Sequence, residues 1–159
     1  MKVKISKTHN PEDGPYKDKD DLLCDVMIHR KHVSDVMNKL SYKLMDIGFH
    51  HDWTKIQYLD DFYRDTCERP REGDSIDLFK SRSWYNLHVT REQHHLNANC
   101  PVDVDLFNVL EFIVDCVCAG KSRSGFVNYG FLELDRDDLL EIAFWNTVRY
   151  IEELVELED

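Results

Sequence analysis

The sequence is poor in residues that interrupt helices, and it contains no long apolar run. Only 6 glycines and 4 prolines occur among 159 residues, which favours long continuous elements over a loop-rich fold. No apolar run approaches the roughly 20 residues that a membrane-spanning helix needs. The first residues also lack the apolar core of a signal peptide. We therefore expect a cytoplasmic protein that does not act at a membrane.

The cysteines are few and lack the spacing of a structural framework. Their number is odd, and they are Cys24, Cys67, Cys100, Cys116 and Cys118. Cys116 and Cys118 are two residues apart and would face different directions on a helix. A disulfide framework or a Cys-type zinc site is therefore not predicted, and reduced thiols fit a cytosolic compartment.

Positive charge is also in deficit, with 20 Lys and Arg against 31 Asp and Glu and a formal net charge of -11. Such a chain repels phosphate backbones, so general nucleic-acid binding is not expected. A small phosphate ester remains compatible, because bound divalent cations would reverse the local field. The acidic end "EELVELED" would suit a basic partner, although a solvated helix end is the simpler interpretation.

The residues that are present predict an all-α fold, a compact bundle of about five helices. Residues 1–19 are polar and predict an irregular arm, whereas residues 20–159 predict a single helical domain. Apolar residues recur every three to four positions in the helical segments, and no alternating strand pattern occurs. The predicted helices run over about 20–47, 51–66, 78–95, 106–119 and 137–156. Loops are predicted at 67–75, 97–105 and 120–130.

Seven of the eight histidines lie on or beside these predicted helices. On the first helix His29 falls near the middle of the apolar stripe, between Val26 and Val33. His32 falls roughly 100° from that centre. We therefore expect His29 to point into the core and His32 to lie outside it.

The next two helices carry further groups that suit a metal ion. His51 and Asp52 begin the second helix, with Lys55 on their side one turn later. On the third helix His88 and His95 are two turns apart and share a face, with Arg91 between them. His94 faces elsewhere unless the helix loosens there, which Asn97-Ala98-Asn99 would allow.

The fourth contribution is Asp115, in the middle of the apolar segment "LEFIVDCVCAG", with Glu111 one turn earlier on the same face. A buried carboxylate is costly unless it is paired or bound to a metal. Imidazole and carboxylate ligands together suit Zn, Mn, Fe, Co or Ni, and less selectively Mg. The alternative is a set of buried polar networks with solvated histidines.

The order of these residues resembles the HD superfamily of metal-dependent phosphohydrolases. "HDWTK" is similar to the HD-x-x-K helix start of that superfamily. The segments "HRKHV", "HHDWTK", "LHVTREQHH" and "LEFIVDCVCAG" resemble more closely an uncharacterised family of small phage and bacterial proteins. The resemblance spans about Ile28 to Gly120, and for a phage protein the compartment would be the host cytoplasm.

The resemblance implies a metal site with one or two ions. His29, His51, Asp52 and Asp115 would form its basic ligand set, with Asp52 bridging two ions if both are present. Three later histidines resemble the additional ligands of the multi-metal subgroups: His88, His94 and His95. Lys55 would lie beside the metal-bound water or the substrate phosphate.

The predicted function is therefore metal-dependent hydrolysis of a nucleotide or another small phosphate ester. Asp52, Lys55 and Arg91 are the predicted catalytic residues. Lys55, Arg91, Lys121 and Arg123 are the predicted substrate-binding residues, the last two from the loop "AGKSRSG". One alternative keeps the ligands but holds two irons and activates oxygen. Another is a non-enzymatic phage protein that binds a host factor and keeps the histidines as a structural metal site. The sequence does not determine the oligomeric state.

Overall fold

The computed structural model describes residues 2–10, 12, 14–68, 78, 80–96, 103–126 and 136–157, and it confirms the all-α class. In chain order the elements are β1 (Val3–Ile5), α1 (Lys19–His50), α2 (Trp53–Gln57), α3 (Leu59–Tyr63), a π-helical turn (Arg64–Glu68), α4 (Ser83–Arg91), α5 (Leu106–Ser124), α6 (Arg136–Leu154) and β2 (Val155–Leu157). Among the described helices, none is both long enough and apolar enough to cross a bilayer.

The chain divides into two compact units. The first comprises Met1–Asp46 with Thr147–Asp159, and the second comprises Ile47–Asn146. Helices α1 and α6 contribute residues to both units. Residues 1–19, predicted as a separate arm, belong to the first unit.

The first unit contains a short strand pair that the sequence pattern does not reveal. Strand β1 pairs in parallel with β2, with Val3 opposite Val155 and Ile5 opposite Leu157. Each strand has only three residues, too few for an alternating apolar pattern to be recognised. The pairing joins the two ends of the chain within this unit.

The N-terminal arm is held against α1 by hydrogen bonds. The backbone N–H of Ser6 donates to His32 Nε2 at 3.1 Å. Asp25 accepts from the backbone N–H of His9 at 2.8 Å and from the Tyr16 hydroxyl at 2.9 Å. The arm, β2 and α1 enclose a cavity of about 550 Å³ with a mainly aliphatic lining, to which His29 and His32 also contribute.

Helix α1 corrects two predictions. All 32 of its residues are described and none is buried, so His29 is exposed rather than directed into a core. His32 is the half-buried one of the pair, because it faces the arm and bonds Ser6. The helix also continues through Gly48, since a glycine inside a helix costs only about 1 kcal/mol relative to alanine.

The segment after α1 is broken where one helix was predicted over 51–66. Tyr58, with φ -117° and ψ 41°, separates α2 from α3, and the π-helical turn follows. Thr54 is buried with 6% of its surface exposed, whereas the larger apolar residues Trp53 and Ile56 of the same helix are exposed. Helix α4 is also shorter than the predicted helix over 78–95.

Helix α5 begins as predicted and ends later. The carboxylate of Asp105 accepts from the backbone N–H groups of Phe107 and Asn108, and the Asn108 side chain returns a bond, which forms a capping box. The predicted stop at Gly120 is wrong: the helix ends at Gly125, which takes φ 78°. Lys121 and Arg123 are therefore helical and do not lie in a loop. The helix is not buried all round either, because Ile113 and Val114 are exposed.

The core of the second unit lies beside the histidines. Leu96, Val104 and Ala143 are buried together, and partly buried Val109, Phe112 and Leu139 pack on them. Trp84 stacks between Phe62 and His88, with ring centroids 4.2 and 5.1 Å away. Several predictions concern segments outside the described residues: Cys100, the loosening at Asn97-Ala98-Asn99, most of the loops at 67–75 and 97–105, and the end of the loop at 120–130.

Candidate metal site

Asp52 lies at the centre of the candidate site, in a tight turn between α1 and α2. Its backbone is left-handed, with φ 58° and ψ 22°, a conformation that Asp and Asn tolerate better than most residues. The backbone N–H of Lys55 donates to the Asp52 carbonyl at 2.9 Å and closes the turn. Lys55 Nζ also bonds Asp52 Oδ2. This turn directs the carboxylate into the second unit, among four histidines.

The histidine Nε2 atoms converge on this carboxylate. Nε2 of His88 is 3.3 Å and Nε2 of His94 is 3.8 Å from Asp52 Oδ1. Nε2 of His51 is 3.5 Å from Oδ2. His95 joins the group through its Nε2, which is 2.8 Å from Nε2 of His88. Five side chains thus present ligand atoms to one small volume.

The end of α4 explains how consecutive histidines both face inward. The helix stops at Arg91, after which the backbone N–H of Glu92 still bonds the His88 carbonyl at 3.0 Å. His95 N–H then donates to the Glu92 carbonyl at 3.1 Å, so His94 and His95 lie in a turn. On a continuous helix His94 would have faced away, so the helix end provides the loosening that the sequence required.

The other ring nitrogen of three of these histidines also lies beside an oxygen atom. Nδ1 of His51 is hydrogen-bonded to Glu111 Oε1 at 2.9 Å. Nδ1 of His88 is 2.6 Å from the hydroxyl of Thr54, whose backbone N–H donates to Glu92 at 2.9 Å. Nδ1 of His94 is 3.1 Å from Glu111 Oε1, although the angle there is poor for a hydrogen bond. Such outer contacts orient metal-binding imidazoles in proteins.

Two inward-facing atoms have no hydrogen-bond partner among the residues that the structure describes. They are Asp52 Oδ1 and His94 Nε2, and both are buried. Only 1% of the His94 side chain is exposed. Leaving such groups unpaired in a protein interior costs about 1–3 kcal/mol each. A bound cation would satisfy both atoms, so the residues present fit a metal ion.

The geometry defines two groups of ligand atoms within the described part of the chain. His51, Asp52 and His94 form one, and Asp52, His88 and His95 form the other; within each, the ligand atoms lie within 4.8 Å of one another. Asp52 is common to both groups. Imidazole nitrogen with carboxylate oxygen is a ligand set for Zn, Mn, Fe, Co or Ni.

The pKa values of several candidate ligands are shifted towards the protonation state that binds a metal. Burial, together with neighbouring positive charge, lowers the pKa of His88 and of His95 to about 4, so both are neutral at pH 7. Burial opposes ionisation of Asp52, yet the bond and charge of Lys55 hold the pKa of that carboxyl below its usual range. For His51, burial is outweighed by Glu111, Asp52 and Asp115, and its pKa is raised.

The remaining predicted ligands are placed differently. Asp115 Oδ1 is 3.5 Å from Nε2 of His51, which puts Asp115 at the edge of the cluster with 32% of its side chain exposed. His29 belongs to the first unit, and neither group of ligand atoms includes it. His50 is not in either group of ligand atoms, and its ring packs against Phe49 and Trp53.

Of the predicted cationic residues, one contacts the cluster and the other three lie away from it. Lys55 contacts the cluster directly through Asp52. Arg91 is exposed and donates from Nη1 to the Tyr58 hydroxyl at 2.5 Å, with the Tyr58 ring centroid 5.4 Å from its Cζ. Lys121 and Arg123 are exposed in the last turn of α5, more than one turn beyond Asp115.

Sequence reasoning missed Thr54 and Glu92 and understated Glu111. Thr54 had no assigned role, yet it is buried against His88. Glu92 follows His88 by four residues, and Glu111 precedes Asp115 by four. That helical spacing was the available signal for both carboxylates. For Thr54 no local signal exists, since its partner is 34 residues away.

The chain was compared with protein-family models, with curated proteins and with solved structures, and none of the three comparisons finds a match.

Proposed function

We propose that this chain is a metal-dependent phosphohydrolase acting on a nucleotide or another small phosphate ester. The observation that supports it best is that two buried ligand atoms, Asp52 Oδ1 and His94 Nε2, have no hydrogen-bond partner in the described part of the chain and lie within a cluster of four imidazoles. The reaction class rests on the resemblance to the HD superfamily. The metal site rests on the contacts themselves.

The proposed ligands are His51, His88, His94 and His95 with Asp52, which serves one ion or bridges two. A divalent ion held there would supply Lewis acidity, lowering the pKa of a bound water and offsetting phosphate charge. The neutral state of His88 and His95 leaves their lone pairs free to bind at pH 7. Ligation through Asp52 Oδ2 requires Lys55 to leave that oxygen.

Lys55 and Arg91 are the proposed phosphate-binding residues. Once displaced from Asp52, the Lys55 ammonium remains within one turn of the site, available to a phosphoryl oxygen. Arg91 follows His88 by one turn on α4, and its bond to Tyr58 restricts its direction. A guanidinium held in this way can clamp a phosphate through two parallel bonds.

Elemental analysis of the purified protein, combined with a nucleotide panel assayed in Mn, Co, Ni and Mg, tests this function. We expect one or two equivalents of a divalent transition metal and turnover of at least one phosphate ester. Asp52→Asn should lose metal and turnover together. His50→Gln is the matched control, since its ring packs on Phe49 and Trp53 outside the cluster. Equal metal content in both variants would contradict the assignment.

Other outcomes of the same experiment identify the alternatives. If the protein holds two irons per chain, consumes oxygen and releases no phosphate, the activity is oxygenase chemistry and not hydrolysis. Metal retained without turnover of any substrate would favour a protein that binds a host factor and uses the metal structurally.

A further inference from the structure

Glu111 contacts two histidines of the same candidate metal group. It lies on α5 one turn before Asp115, and only 12% of its side chain is exposed. A single oxygen, Oε1, is 2.9 Å from Nδ1 of His51 and 3.1 Å from Nδ1 of His94. The first contact is a well-aligned hydrogen bond. The second is a close contact without hydrogen-bond geometry, where the negative oxygen still favours a proton on Nδ1.

The direction of these contacts has a chemical consequence. An ionised carboxylate can only accept hydrogen bonds, so the nitrogen that bonds it must carry the proton. A glutamate carboxyl is ordinarily ionised at neutral pH, so Glu111 acts only as an acceptor. In a neutral imidazole with the proton on Nδ1, the lone pair is on Nε2. In both residues Nε2 is the nitrogen that faces Asp52.

We propose that Glu111 is a positioning residue that fixes the tautomers of His51 and His94, and so controls the affinity of the His51–Asp52–His94 group for a divalent metal. The claim about metal affinity rests on the proposed function, whereas the claim about the tautomers of His51 and His94 does not. His88 is supported separately, because its Nδ1 faces the Thr54 hydroxyl, which can donate or accept. Glu111 should therefore act on one ligand group and leave the Asp52–His88–His95 group unaffected.

Two substitutions of Glu111 distinguish the effect of its hydrogen-bond acceptor from the effect of its negative charge. Glu111→Met removes the acceptor at similar size, and we expect Co²⁺ binding at the first group to weaken about 10- to 100-fold. Glu111→Gln retains an acceptor oxygen without charge and should give an intermediate affinity. Asp103→Asn is the control, since that exposed carboxylate accepts from Gln93 and is hydrogen-bonded to no histidine ring. Titration with Co²⁺, followed by its visible absorption, measures each affinity.

The tautomers themselves can be measured without metal or turnover. ¹⁵N NMR of the imidazole ring distinguishes a protonated nitrogen from one with a lone pair. At about pH 9, well above the ordinary imidazole pKa of about 6.5, wild type should show Nδ1–H for His51 and His94. Glu111→Met should shift both toward Nε2–H, Glu111→Gln should retain the wild-type pattern, and His88 should not change in any variant.

The results separate the two ideas. Unchanged tautomers and unchanged Co²⁺ affinity in Glu111→Met would overturn this inference and leave the proposed function standing. A tautomer shift in a protein that binds no metal even as wild type would sink the proposed function and keep the positioning role of Glu111. If Glu111→Met does not fold, Glu111→Gln decides: loss of the Nδ1–H pattern, or an affinity equal to wild type, contradicts the inference.

Discussion

Asp52 combines an uncommon backbone conformation with the central position in the cluster. A left-handed residue with a Cβ costs about 1–2 kcal/mol, and Asp reduces that cost because its short polar side chain can bond locally. Alanine at this position would add strain to the loss of the ligand, so its effect on metal binding would be ambiguous. Asparagine keeps the conformation while removing the charge and one of the two ligand oxygens, which makes Asp52→Asn the informative substitution.

Lys55 is the residue whose removal should separate metal binding from turnover. Its ammonium bonds Asp52 Oδ2 and would compete with a cation for that carboxylate. We expect Lys55→Met to bind Co²⁺ or Mn²⁺ on the order of tenfold more tightly, which corresponds to about 1.4 kcal/mol. Turnover of a phosphate ester should fall, because the proposed phosphate contact is lost. Isothermal titration and initial rates measure the two effects.

Lys80→Met serves as the control for that change, since Lys80 is exposed and has no assigned role. Weaker metal binding in Lys55→Met would show that Lys55 supports Asp52 as a ligand and does not compete with the ion.

Helix α5 carries both Glu111 and Asp115, and its start is set by one residue. Asp105 accepts from Phe107 and Asn108, which satisfies two of the N–H groups that a helix leaves unpaired. We expect Asp105→Ala to lower the free energy of unfolding by about 1 kcal/mol, within the 0.5–2 kcal/mol typical of such caps. Urea denaturation of the metal-free protein measures the change, and Asp103→Ala is the control two residues earlier. A cost for Asp103→Ala as large as for Asp105→Ala would contradict the cap assignment.

Helix starts were more predictable than helix ends in this chain. Asp103 and Asp105 are both possible caps under the local rule, and the structure shows that Asp105 is the cap. The predicted stops at Gly48 and Gly120 are wrong, because glycine permits a helix end without requiring one. The break at Tyr58 has no glycine or proline to signal it.

The candidate site was predictable to the extent that its contacts follow helical spacing. His51 and Asp52 were expected together at the start of the second helix, and His88 and His95 on a shared face of the third. The structure brings all four into the cluster. His94 depended on where α4 ends, which the pattern left open. His29 was placed by its position on an apolar stripe, but that stripe is not buried in the first unit. Residue spacing predicts which side chains share a face, but not what covers that face.

At the scale of the whole molecule, the metal-free protein should lose stability as it is acidified. His88 and His95 have pKa values of about 4 when folded against about 6.5 when unfolded. Between these values the unfolded chain binds more protons, so the free energy of unfolding falls as the pH falls. His51 acts oppositely: its raised pKa gives stability that is present below about 6.5 and lost at higher pH. Asp52 and Glu111 lose their contributions only at lower pH, since their pKa values are depressed.

We therefore expect the free energy of unfolding in EDTA to drop by roughly 1–3 kcal/mol between pH 6.5 and pH 5, where the buried histidines dominate. Urea denaturation at intervals across this range measures the slope. His95→Gln should reduce that slope by about half, because it removes one of the two buried rings with a lowered pKa. His50→Gln should leave the slope unchanged. An identical slope in wild type and His95→Gln would show that the acid sensitivity arises elsewhere in the chain.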